Sequence, residues 1–366
     1  MRIANDDVAK FLTRIVPFVE TEGARNLYKM SLELSIPYQT LRFRMLRLSE
    51  QGITIIPVLN VEELGLQRVR VSFELSTDLK DPKVLFGGLH QTAGLTYYSR
   101  SLLTQIFDCE FNIPRDSRKE LSRLLLALEE MKIIEKVTLR NLLWKEVLMM
   151  KTQYYDYREN QWDIDFTEFS GDPSLKIPSM SHKEDFDHID LLIIKSLQID
   201  PWIKVVDLAK EIKMTEGDIS YHINKHVFGR NQIGGFRFRW VGTRDAWAKH
   251  TILPLTLEFK GLSDEDSRHA MSVVTSTPFT WNHMRAEDGT YFSELLVPVS
   301  HLPETMRYIS DNLRALKLFP RIALGDMSCV SSFTVPYMMH QKSHGWVFNA
   351  EMSLSYCLQM IKTYGT

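Results

Sequence analysis

Two arginines, Arg237 and Arg239, alternate with Phe236, Phe238 and Trp240 directly after the pair Gly234-Gly235. On a strand, residues two apart share a face, so both guanidiniums would point one way and the three rings the other. The glycine pair allows a tight turn just before it. From Ile219 to Arg244 the chain has no acid, yet it gathers Lys225, Arg230, Arg237, Arg239 and Arg244, within a protein of formal net charge -2. Such a local cationic surface suits a phosphate backbone, which needs cations in register and carries no sequence information itself.

The elements that would position this surface are helices. Ile189, Ile193 and Leu197 repeat at helical spacing, and Val205, Leu208, Ala209 and Ile212 make a second apolar stripe. Thr215 is a good N-cap, with Glu216 and Asp218 favourable in the first turn of a third helix buried through Ile219, Ile223 and Val227. Helix, helix, short turn, helix is the helix-turn-helix pattern. The N-terminal region repeats the plan, its third helix starting with Pro37 in the first turn, where a missing N–H costs nothing, and facing inward through Leu41, Met45 and Leu48. The outward faces of the two third helices would then be reading faces for the major groove. Tyr38, Gln39, Thr40, Arg42, Arg44 and Arg47 form the first, and Ser220, Tyr221, Asn224 and Lys225 the second. Gln and Asn pair with adenine and Arg with guanine. Arg230, Arg237 and Arg239 would hold the backbone, the last two from a β-wing.

The chain reads as a duplication. The run from Met30 to Ile36 matches that from Leu208 to Met214 without a gap, and Ile15, Val19, Leu41 and Met45 fall on Ile193, Leu197, Ile219 and Ile223. After the helices each half changes period. "RVRVSFEL", Arg68 to Leu75, alternates as a strand. The order that follows is βαββαβ in both halves, with strands or helices over 68–75, 81–90, 95–101, 104–113, 117–131 and 133–143, then 252–259, 263–275, 278–286, 290–299, 301–314 and 320–334. Glu287-Asp288-Gly289 is a hairpin signal between two of them. The expected fold class is α+β: two winged helix-turn-helix domains (1–58 and 186–250) alternating with two ferredoxin-like βαββαβ domains (59–169 and 251–366). A linker over 170–185 is rich in serine, glycine and proline.

Composition narrows the class. The 366 residues are 44% hydrophobic and 25% charged, enough for several cores. The acidic N-terminal stretch with Asp6 and Asp7 reads as no secretory signal, and no run is long and apolar enough to span a bilayer. Cys109, Cys329 and Cys357 are scattered, which suggests a reducing cytoplasm and neither a disulfide framework nor a zinc knuckle. No phosphate loop or Ser/His/Asp arrangement is present. His222 and His226 have the spacing of helix-borne metal ligands, but no third ligand lies nearby in sequence. They read as polar residues beside DNA, and no metal or organic cofactor is expected.

"RMLRLSEQGI", Arg44 to Ile53, and "LNVEELGL", Leu59 to Leu66, resemble the recognition helix and the hinge strand of Lrp/AsnC-type (feast/famine) transcription regulators. "FDHIDLLIIKSLQID" and "DLAKEI" resemble that family's first and second helices. The resemblance implies a DNA-binding regulator with double-stranded DNA as its partner. Two unlike reading heads in one chain imply an asymmetric operator with half-sites about one turn, ~34 Å, apart. The transcription machinery, a small-molecule effector of unassigned identity and a second copy of the chain are the other partners it admits; a membrane is not. Siroheme decarboxylases resemble the same architecture, which gives an enzyme alternative: Tyr97, Tyr98 and Arg100 in one half, and Trp281, His283 and Arg285 in the other, could hold carboxylates and move a proton. A protein-interaction scaffold is a third class. The aromatic tails "YYDYRENQWDIDF" and "HQKSHGWVFNAEM" could dock a partner, but covering the protein's own core suits their tryptophans better.

Overall fold

The computed structural model describes residues 6–22, 27–50, 54–76, 79, 81–148, 151–159, 161–169, 171, 186–239 and 252–364. The first half opens with three helices, α1 (Asp6–Glu22), α2 (Leu27–Glu33) and α3 (Tyr38–Glu50), and a strand, β1 (Thr54–Leu59). The second opens with α6 (His188–Ile199), α7 (Val205–Ile212), α8 (Glu216–Tyr221) and β8 (Ile233–Arg239). The expected stripes are buried: Leu41, Met45 and Leu48 in one, Ile219, Ile223 and Val227 in the other. Thr215 caps α8, its hydroxyl accepting from the Asp218 N–H at 3.2 Å. "LNVEELGL" is not a strand throughout. Val61–Leu64 is a 3-10 turn that ends on Gly65 in the left-handed region, and strand resumes at Leu66.

The heads do not stand apart. β1 and β8 pair antiparallel, Thr54 opposite Arg239 and Pro57 opposite Phe236, and the helices of both heads share one apolar core. Between and after them run two βαββαβ series. The first is β2 (Leu66–Leu75), α4 (Pro82–Ala93), β3 (Leu95–Ser101), β4 (Ile106–Pro114), α5 (Arg118–Glu130) and β5 (Ile134–Val147). The second is β9 (Ile252–Phe259), α9 (Asp264–Ser276), β10 (Thr280–Ala286), β11 (Tyr291–Pro298), α10 (Leu302–Arg314) and β12 (Arg321–Ser332). Each series forms four antiparallel strands, ordered β5-β2-β4-β3 and β12-β9-β11-β10. The free edges then meet: β3 pairs β12 and β5 pairs β10, closing an eight-stranded barrel. Closure leaves the barrel's own strands with no open edge.

Alternation along the strands sorts the barrel wall. On β2, Val69, Val71 and Phe73 pack outward under α4 and α5, whereas Arg68 and Arg70 point inward. The interior is therefore a network of charges. Arg70 donates to Glu294 at 2.8 Å and lies 3.6 Å from Asp108, while Lys145 reaches Glu110 at 2.6 Å. Burial pushes the Arg70 pKa down, but Asp108 and Glu294 outweigh it and hold the guanidinium above its ordinary value. Burial pushes Glu294 up, and Lys145, Arg70 and Asn282 together bring it below the usual carboxylate range.

The tails cross over. After β5, the hairpin β6 (Tyr155–Asp156) and β7 (Gln161–Trp162) packs on the head core, and Ile164, Phe166 and Phe169 settle against the second half beside Tyr308. After β12, the hairpin β13 (His340–Gln341) and β14 (Gly345–Trp346) sets His340 against Phe186 and His188, and α11 (Ala350–Tyr364) covers α4 and α5 of the first half. Their aromatics cover core, as their burial preference suggests. Among the described residues no helix is long and apolar enough to cross a membrane.

Candidate active site

Between the β1–β8 ribbon and one mouth of the barrel lies a cleft of about 610 Å³, inside the range of about 300–1,000 Å³ typical of small-molecule pockets. Ile56, Pro57 and Val58 of the ribbon form an apolar rim. Arg68 and Lys145 stand beside Glu110, and Arg237, Asn112, Asn282, Tyr97, His90 and Trp281 share the wall.

Each side chain is held by its neighbours. Arg68 is nearly buried, donating to Glu62 Oε1 at 2.8 Å and to the Leu59 carbonyl at 3.2 Å. Asn282 donates to Glu294 at 2.8 Å. Tyr97 and Trp281 reach the cleft through irregularities in their strands, between Leu95 and Tyr97 on β3 and between Thr280 and Asn282 on β10. Burial and the nearby Glu294 raise the Tyr97 pKa, so its hydroxyl holds its proton.

His90 is the chemically versatile member. It sits in the last turn of α4, its ring stacked on Phe333 with centroids 4.3 Å apart. Its Nδ1–H donates to the Leu95 carbonyl at 2.9 Å. That bond fixes the tautomer and leaves Nε2 as the nitrogen that can take or give a proton. Gly94 makes the arrangement possible. It ends α4 at φ 77, and a Cβ there would lie 2.3 Å from the Asn112 carbonyl oxygen. Sequence reasoning missed His90. The one available signal was the Gly94 helix end, which folds the next carbonyl back toward the last turn.

The structure corrects the expected placement of Arg237. Arg237 does not face outward from a wing. Its guanidinium lies 3.5 Å from the Trp281 ring centroid and donates to the carbonyls of Leu148 and Trp281, each at 3.1 Å. The physical reason is the pairing of β8 with β1: one face of the ribbon covers the head core through Phe236, so the other must cover the barrel mouth. The Arg239 backbone belongs to β8, but its side chain, together with Trp240 and Arg244, lies outside the described residues. Tyr38, Gln39, Thr40, Arg42 and Arg47 are exposed on α3, while Arg44 is half-buried over Phe11 at 5.3 Å. Tyr221, Asn224 and Lys225 are exposed, and Ser220 and Arg230 half-buried. None of these lines the cleft except Arg237.

Of the residues named for the enzyme alternative, Tyr97 and Trp281 line the cleft. The other four point away. Tyr98 is in the core under α4, Arg100 pairs with Asp326, and Arg285 pairs with Asp264 at 2.7 Å. His283 is fully buried and bonds Glu146 at 2.8 Å on the outer face of the wall.

No protein-family model matches the chain, and no curated protein matches it. Its fold is that of two solved structures. The crystal structure of the siroheme decarboxylase NirDL superposes with a TM-score of 0.56 at 12% identity, over 98% of both chains. The same enzyme in complex with an iron-uroporphyrin III analogue gives 0.59 at 11% identity, again over 98% of each. These matches overturn the expectation of a DNA-binding transcription regulator that is not an enzyme: end to end, the architecture is one that carries a tetrapyrrole enzyme. The inward-facing Arg237 agrees with that correction.

Proposed function

We propose that this chain is a tetrapyrrole-modifying enzyme of the siroheme decarboxylase kind, acting on a multiply carboxylated macrocycle in the cleft beneath the β1–β8 ribbon. The observation that carries the reading is full-length likeness to a siroheme decarboxylase, joined to a cleft whose wall combines cations, aromatic faces and a histidine of fixed tautomer. On this reading each half is a winged helix-turn-helix head followed by a ferredoxin-like sheet, one unit in two copies. The Lrp/AsnC resemblance then describes ancestry of architecture, with the ribbon of the two heads lying over one mouth of a barrel.

The division of labour follows from the geometry. Arg68, Lys145 and Arg237 bind substrate carboxylates, and the Trp281 and Phe333 rings offer flat apolar surface to a macrocycle. Loss of carbon dioxide from a carboxylate breaks one C–C bond and leaves its electron pair on the carbon. A proton must then be delivered to that carbon. His90, steadied through Nδ1 on the cleft wall, is the side chain assigned to carry that proton. The ribbon, as the outer wall, limits water.

The test is a titration of the purified chain with siroheme and with iron-uroporphyrin, read by visible absorbance, followed by anaerobic incubation and mass analysis of the pigment. A saturable spectral change, and a product lighter by carbon dioxide, are expected with siroheme. A flat titration and unchanged pigment would refute the reading.

A further inference from the structure

Away from the cleft, at the start of α6, four side chains converge. Asp190 is fully buried, and both His222 and His226 turn Nδ1 toward its carboxylate, at 2.8 Å and 3.1 Å. Asp187 closes the group from the rim, its Oδ2 lying 3.8 Å from His222 Nδ1. One ligand atom from each of the four fits within a span of 4.8 Å. We infer that Asp187, Asp190, His222 and His226 form a binding site for a divalent transition-metal ion of the zinc class, which staples the second head. This is independent of the proposed decarboxylase activity.

Four observations support it. First, the donor set is two imidazoles and two carboxylates, one that zinc accepts, with bonds of about 2.0–2.2 Å and ligands about 3.3 Å apart around a tetrahedral ion. Three of the imidazole–carboxylate separations, 2.8 to 3.8 Å, bracket that value, and the whole set lies within 4.8 Å. Second, the helix is re-formed at this point. Residues His222–Val227 make a π-helical turn, a rare device that clusters at functional sites. Residues four apart share one face of the helix, so both imidazoles reach the same carboxylate. Third, Asp190 is fully buried and its carboxylate is contacted by both imidazoles, so the donors converge in a site shielded from water on one side. Fourth, the carboxylates are already oriented. Asp190 Oδ2 accepts from the Asp187 N–H at 3.1 Å, and Asp187 Oδ1 accepts from the N–H groups of Ile189 and Asp190 at 2.8 and 2.9 Å. Such outer contacts fix ligands before the ion arrives. On binding, each imidazole carries its proton on Nε2 and gives Nδ1 to the metal.

The sequence reading found no third ligand because it lies 32 positions upstream of His222. With four protein donors and no open position, the ion would be structural rather than catalytic. It would tie the start of α6 to the π-turn beyond α8, and α6 ends at the cleft through Gln198.

The experiment uses the untagged full-length chain. After stripping with chelator, it is titrated with cobalt(II) and, separately, zinc(II). We expect one equivalent of cobalt with the intense visible bands of a tetrahedral centre, displacement by zinc, and a Tm raised by several degrees with zinc. Asp187→Asn, at the exposed rim and mild for folding, should weaken cobalt affinity at least tenfold, and His226→Gln should abolish the bands. Absence of cobalt bands in the wild type, with no change in Tm on adding zinc, would overturn the site. So would bands that persist in both variants.

Discussion

Glu294→Gln probes the charge network that gives the barrel a polar interior. The wild-type carboxylate accepts from Arg70 and Asn282, each at 2.8 Å, and Arg70 is almost wholly buried. The amide preserves shape but removes the charge, leaving Arg70 with Asp108 at 3.6 Å. Breaking a buried pair costs about 3–5 kcal/mol, and the remaining aspartate offsets part of it, so a loss of ~2–3 kcal/mol is expected. At ~2.1 cal/mol/K per residue, a cooperative 366-residue chain has an unfolding entropy of ~0.8 kcal/mol/K, so Tm should fall by about 3–4 K at pH 7. The pH dependence supplies a second check. Glu294 has a lowered folded pKa, so its contribution is complete above the unfolded value of about 4.3 and is lost as pH falls through the folded value. Calorimetry should therefore show wild type and variant separated at neutral pH and converging below about pH 4. Equal Tm values at pH 7, or a gap that persists unchanged into acid, would refute the reasoning.

His90→Gln should lower siroheme turnover by about 10²–10⁴-fold while leaving pigment binding within a few-fold; His283→Gln, outside the cleft, should leave turnover near wild type in whatever fraction folds, as single-turnover assays would show. Trp281→Ala removes both the ring under Arg237 and a face of the cleft, and should weaken pigment affinity by about tenfold or more in an absorbance titration. Gly94→Ala forces a side chain into left-handed backbone against the Asn112 carbonyl, and should cost at least ~1–2 kcal/mol in denaturant unfolding and distort the anchor of His90.

Most of the elements were legible locally. The alternation of "RVRVSFEL", the cap at Thr215 and the hairpin at Gly289 are signals carried by a few adjacent residues, and each element stands within a few positions of its expected place. The site was not legible, because it is made by pairings that nothing local encodes. Which edges β3, β5, β10 and β12 would choose depends on the whole chain, as does the meeting of β1 with β8. That last pairing turned Arg237 from a presumed outward cation into part of a cleft wall. His90 lies in "LHQTAG", where its spacing matches no catalytic motif; only the folded-back Leu95 carbonyl gives it a role.

The exchanged tails bear on how such a chain can be divided. Ile164, Phe166 and Phe169 shelter the helices of the C-terminal half, and Phe348, Ala350 and Cys357 shelter those of the N-terminal half. A protease site engineered between residues 171 and 186 would cut the polypeptide without releasing two independent proteins. Each fragment would still wear the other's cover, so they should migrate together, and either one made alone should expose bare apolar helices and precipitate.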